Sequence, residues 1–127
     1  MTLLLPALAE PHAHLDKAFL AERVVNTSGD LMGAILAMEA ARPTITVADT
    51  IERAERAARM MMANGVTAIR THAGVTESNG LASAEALIEV RRRLAGEVEI
   101  QVVALTGWPV VGPAGAAVAL VVARRVD

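Results

Sequence analysis

Twice in this chain an amphipathic helical pattern runs into a glycine and then, almost at once, into a short β-branched stretch. The first unit is Val47 to Asn64, Gly65, and Val66 to Thr71. The second is Leu81 to Leu94, Gly96, and Glu99 to Leu105. A glycine just past a helix adopts the left-handed conformation that ends it. A short run rich in Val, Ile and Thr suits a buried strand. Strands joined through helices cannot close as hairpins, because each helix carries the chain back to the starting edge of the sheet; such strands pair in parallel. The expected fold class is therefore α/β, with parallel strands and helical crossovers.

Local signals fix the rest of the outline. Thr46 followed by Asp49 resembles a capping box at the start of the first helix. Its apolar face is expected to comprise Val47, Ile51, Ala54, Ala58, Met61 and Met62. Glu52–Arg56 and Glu55–Arg59 are expected as i,i+4 pairs. The second helix carries Ala84, Leu87 and Ile88 inward and ends in Arg91-Arg92-Arg93, where cations suit the helix dipole. Before these units, Ala7 to Leu15 reads as a strand ending in His12-Ala13-His14. A looser stretch runs from Asp16 to Asp30, and Leu31 to Ala41 reads as a helix, with Leu31, Ala34, Ile35 and Met38 at helical spacing and an end before Pro43. Beyond Thr106, closely spaced glycines and prolines (Gly107, Pro109, Gly112, Pro113, Gly115) read as a loop, and residues 108–127 as a tail that fits no element.

Composition removes several classes of function. The chain has 127 residues, enough for one domain with a real core, and is 54% apolar. Twelve basic against fourteen acidic residues give a net charge of −2, so no basic surplus exists to neutralise a nucleic-acid backbone. The longest apolar stretch, Trp108 to Ala123, is broken by Gly and Pro and falls short of the roughly 20 residues of a membrane span. With no cysteine there is no disulfide framework and no thiolate site, which fits a cytoplasmic setting.

Chemistry concentrates in one triplet. On a strand, residues i and i+2 project from the same face. His12 and His14 would thus stand side by side at the C-terminal end of their strand, where ligands bind in parallel α/β folds, and could share one metal ion. Asp16 and Lys17, the only lysine in the chain, follow directly; they could pair and fix the turn after the histidines.

The surrounding residues add a family likeness. Glu10-Pro11-His12-Ala13-His14-Leu15-Asp16-Lys17 resembles the first-strand signature, E-P-H-x-H-L-D-K, of the cytosine deaminase-like branch of the amidohydrolase superfamily. Asn64-Gly65 through Arg70-Thr71-His72 resembles that branch's second strand, and Glu97 to Leu105 its third. TatD-type hydrolases carry a similar H-x-H-L-D, but with a shorter excursion before the second strand. The resemblance implies a (β/α)₈ TIM barrel of which this chain supplies about the first three strand–helix units, as an N-terminal fragment. It implies one divalent metal, zinc or iron, held in part by His12 and His14. The reaction implied is hydrolytic removal of an amine from a cytosine-like or other nitrogen heterocycle, with no nucleic-acid or membrane partner.

The general acid/base implied by the family is expected beyond residue 127, so this chain by itself is expected to be inactive and to self-associate or form a homo-oligomer. Asp16, Lys17, Arg70 and His72 are assigned to the substrate pocket or to support of the metal ligands. His72 is read as a hydrogen-bonded histidine of the barrel mouth rather than a ligand, and Arg70 as a charge partner in the barrel interior. Two departures bear on substrate: Gly74 stands where cytosine deaminases often carry Asp, and Thr106-Gly107-Trp108 where they carry a Gln. A non-catalytic α/β module that works by oligomerisation is the alternative from another class.

Overall fold

The computed structural model describes residues 3–76 and 78–106. The expected tail at 108–127, with its apolar stretch, lies outside the described residues. The order is β1 (Leu8–Ala13), two 3₁₀ turns (Leu15–Lys17 and Leu20–Glu22), α1 (Leu31–Ala41), a 3₁₀ turn (Arg42–Thr44), α2 (Val47–Ala63), β2 (Val66–Val75), α3 (Ala82–Arg93) and β3 (Glu99–Thr106). The three strands form one sheet in the order β1-β2-β3, and both pairings are parallel. Gly65 and Gly96 sit at φ +89° and +86°, as helix-ending glycines should.

The sheet is two-sided. Along β2, Ile69, Thr71, Ala73 and Val75 are each at most 2% exposed, while the alternate residues Arg70, His72 and Gly74 belong to the other face. The buried set meets Ala54, Ala57 and Ala58 of α2 and Ala84, Leu87, Val90 and Leu94 of α3. Ile100 and Val102 of β3, with Ala13 and Leu15, complete the same core. Small alanines on α2 let that helix lie close to the sheet, and the large apolar volume comes from α3 and the strands. Arg70 and Gln101 occupy the opposite face, paired in register and exposed.

Several local readings change. β1 stops at Ala13, so His14 lies one residue beyond the strand rather than within it, and β1 is an edge strand of the three. β2 extends past Thr71 to Val75 and carries His72 inside the strand. The stretch after the histidines is two 3₁₀ turns instead of loose chain. Helix α1 forms with the expected bounds. Asp30 caps it, accepting the Gly33 N–H at 2.6 Å, yet it buries no residue: Leu31, Met32 and Leu36 are 76%, 61% and 64% exposed. Its apolar side chains are spread around the helix instead of gathered on one face.

On α2, Thr46 Oγ1 accepts the Asp49 N–H at 3.1 Å. The reciprocal half of the capping box is replaced, because the Asp49 carboxylate takes Arg23 at 2.6 Å and Arg53 at 3.0 Å. Glu55–Arg59 forms at 2.9 Å. Arg56 does not pair with Glu52; it reaches Glu22 at 3.4 Å and lies 3.8 Å above the Phe19 ring. No described helix is long and apolar enough to cross a membrane.

Candidate metal centre

Three imidazoles gather at the C-terminal ends of β1 and β2. The ring centres of His12 and His14 are 5.2 Å apart, those of His12 and His72 4.3 Å, and those of His14 and His72 5.6 Å. Two imidazoles that share one tetrahedral metal, each with its nitrogen about 2.0–2.1 Å from it, place their ring centres about 5 Å apart. The separation of the His12 and His14 ring centres is close to that value. His72 is placed differently. It stacks on His12 with only 26° between the ring planes, so it presents a ring face to its neighbour. Among the described residues no set of three or more His, Asp or Glu side chains is arranged to hold a metal ion.

His14 is held by the main chain of the neighbouring strand. Its Nδ1 lies 3.2 Å from the carbonyl oxygen of His72. A carbonyl can only accept, so Nδ1 carries the proton and Nε2 is left with its lone pair free. Burial, and then the Lys17 ammonium, hold the His14 pKa below its ordinary value, against the opposing pull of Asp16 and the His72 carbonyl. A neutral ring is the form in which a histidine ligates a metal.

The turn after His14 is fastened from three sides. The Leu15 N–H donates to Thr71 Oγ1 at 3.0 Å, and both residues are buried. The Asp16 carboxylate, whose side chain is 4% exposed, accepts the Gly74 N–H at 3.0 Å and the Lys17 ammonium at 3.0 Å. The expected Asp16–Lys17 pair is thus present, with Asp16 buried and Lys17 at the surface. From beneath, Arg53 of α2 donates to the Asp16 carbonyl at 3.0 Å and to the Ala18 carbonyl at 2.7 Å. Its remaining bonds go to Asp49 and Thr50 within α2. Phe19, next in the chain, sits at φ +59°, a left-handed conformation that is rare for a bulky residue.

Arg70 is on the face shared with His72, and its Nε donates to Gln101 Oε1 at 2.6 Å. The pairing is with a neutral amide, so Arg70 has no carboxylate partner among the described residues; the expectation of a charge partner is corrected to this extent. His72 differs from its reading too: its ring Nδ1 is buried and makes no hydrogen bond, and its contact with His14 is made by its main-chain carbonyl. Sequence reading passed over Thr71 and Arg53. The signal for Arg53 was available, since it falls among Thr50, Ala54 and Ala57 on the buried stripe of α2, where an arginine needs partners.

A parallel sheet with helices on one face and chemistry-bearing side chains at its C-terminal edge is the arrangement of a (β/α)₈ barrel, here represented by about three of its strand–helix units. Comparison with known proteins agrees. No protein-family profile matches the chain. A pterin deaminase of Rhizobium rhizogenes (strain K84) is 36% identical over 101 residues, 79% of this chain and 23% of the relative. The 5-methylcytosine deaminase of Klebsiella pneumoniae, solved with 5-fluorocytosine, is 36% identical with a TM-score of 0.71 over 78% of this chain and 24% of its own. N-isopropylammelide isopropylaminohydrolase of Burkholderia multivorans is 33% identical with a TM-score of 0.76, over 96% of this chain and 31% of its own. This chain belongs to the amidohydrolase superfamily, in its cytosine deaminase-like branch. It spans between about a quarter and a third of the length of the relatives it matches.

Proposed function

We propose that this chain contributes the first strands, and half of the metal shell, of a hydrolytic deaminase that acts on a nitrogen heterocycle. The spacing of the His12 and His14 rings, 5.2 Å apart at the C-terminal end of β1, carries this reading. Matches to deaminases of pterin and of 5-methylcytosine support it. His12 and His14 would hold one divalent ion, zinc or iron, through their ring nitrogens. Such an ion, when bound, lowers the pKa of water toward 7 and supplies a nucleophile at neutral pH.

The other residues prepare the site. Thr71, Asp16 and Arg53 hold the turn that follows His14, so that its ring does not have to be ordered when a ligand arrives. Arg70, on the same face as His72, offers planar donors toward a flat ring, with its orientation set by Gln101. Lys17 contributes a positive charge at the rim, 41% exposed. A cytoplasmic setting is the compartment that a cysteine-free chain fits.

As a 127-residue polypeptide, the chain is proposed to bind zinc weakly and to release no ammonia from cytosine or pterin. Two imidazoles complete only half of a tetrahedral shell. Calorimetric titration with zinc at neutral pH tests this reading. Binding that disappears in a His12→Ala/His14→Ala double variant supports it, and binding that survives the double substitution contradicts it.

A further inference from the structure

We infer that His72 is a positioning residue for the His12–His14 pair and acts on the two rings by different routes, its carbonyl on one and its ring face on the other. The inference rests on the metal-pair reading above.

The main-chain route is the 3.2 Å contact from His14 Nδ1 to the His72 carbonyl, which selects the tautomer that leaves Nε2 free. That carbonyl is available because β2 continues through His72 to Val75 while β1 ends at Ala13. Past the end of β1, the side chain of His14 takes an acceptor on the neighbouring strand. The ring route is the stack on His12, 4.3 Å between centres and 26° between planes. His12 is exposed and has no ring hydrogen bond of its own among the described contacts. A neighbouring ring face is what restricts its rotation.

The nitrogens of His72 do neither job. Nδ1 is buried with no partner, and no three-residue metal set includes it. An aromatic ring without nitrogens should therefore serve as well. This distinguishes positioning from ligation: removing a group that only orients a metal ligand typically changes affinity by about 10–100-fold, and a ligand cannot be replaced by phenylalanine at all.

The test is the zinc affinity of the 127-residue chain by calorimetry, for wild type, His72→Phe and His72→Ala, with His12→Ala/His14→Ala as control. Nitrogen-detected NMR of the histidine rings is recorded on each. The expected result is an unchanged affinity within about threefold for His72→Phe and a loss of about 10-fold or more for His72→Ala. The protonated Nδ1 of His14 is expected in both, because its acceptor is main chain. If His72→Phe loses as much affinity as His72→Ala, the nitrogen ligates and the inference is overturned. If neither variant changes affinity, the stack has no role and the inference is likewise overturned. If zinc binding persists in the double-histidine control, the metal-pair reading has failed instead. Melting temperatures of the His72 variants, read alongside, separate a loosened site from an unfolded chain.

Discussion

The carboxylate of Asp16 accepts the backbone N–H of Gly74 at 3.0 Å, tying the turn after β1 to the end of β2 across 58 residues of sequence. This bond and the His14–His72 contact lie side by side at the same sheet edge, so the histidine pair and the sheet register are fixed together. Asp16→Ala would leave the Gly74 N–H without its acceptor and Lys17 without its counter-charge. The expected cost is about 1.5–3 kcal/mol, the range for hydrogen bonds to charged groups. Urea unfolding measures it; a variant as stable as wild type would show that the tie contributes nothing.

Gly74 itself is expected to tolerate a methyl group. A Cβ there would lie 3.4 Å from Lys17 Nζ and 3.5 Å from Asp16 Oδ2, ordinary contact distances, and the backbone is not left-handed. Gly74→Ala is expected to be neutral or to stabilise by about 0.4–1 kcal/mol through the unfolded chain. Gly65→Ala and Gly96→Ala, at φ +89° and +86°, should each destabilise by about 1–2 kcal/mol. Thermal melts of the three variants should fall in that order.

Arg53 and Arg59 lie six residues apart on α2 and should respond very differently. The Arg53 residue is 8% exposed and holds two carbonyls of the turn after His14; Arg59 pairs with Glu55 and Glu97 at a side-chain exposure of 49%. Arg53→Met is expected to cost about 3 kcal/mol or more, because the Asp16 and Ala18 carbonyls lose their donor and Asp49 keeps only Arg23 of its two arginines. Arg59→Met should cost far less, because its ion pairs are solvent-exposed and screened. Equal effects in denaturant titrations would contradict this division.

Glu89 supplies a pH dependence. Hydrogen bonds from Arg92, then Arg93, lower its pKa from 4.5 to about 2. A carboxylate whose folded-state pKa is depressed stabilises fully above its unfolded value, and the contribution is lost as pH falls through the folded one. The stability difference between wild type and Glu89→Gln should therefore be constant from pH 7 to about 5, shrink below 4.5 and vanish near pH 2. Melts of both proteins across that range check it, and a difference that persists unchanged at pH 2 would contradict the assignment.

Self-association is expected from helix α1. Leu31, Met32 and Leu36 stand in solvent at 76%, 61% and 64% exposure, close together on one helix. Size-exclusion chromatography should give a species larger than the 13.3 kDa chain. The double variant Leu31→Glu/Leu36→Glu should reduce it; a monomeric wild type would remove the basis of this expectation.

Much of the fold was legible because helix-then-glycine-then-strand is a local signal repeated twice. The bounds of α1 and α2 and the glycines that end the helices follow from capping and periodicity alone. What was not legible depends on contacts between distant segments. That β1 ends one residue before His14 is set by where its partner strand bonds the turn, through Thr71 and Gly74. That α1 buries nothing depends on what packs against it, which its own apolar residues do not specify. At the site, the H-x-H spacing placed His12 and His14 together. The separate jobs of the His72 carbonyl and ring, and the support from Arg53 beneath the turn, arise only once β1, β2 and α2 are assembled.

X-ray absorption at the zinc edge of the zinc-loaded chain tests the central claim most directly. The account predicts two imidazole nitrogens at about 2.0–2.1 Å, with the remaining positions filled by solvent oxygen, and the imidazole signal abolished in His12→Ala/His14→Ala. A shell without imidazole, or one that is unchanged in the double variant, would contradict it.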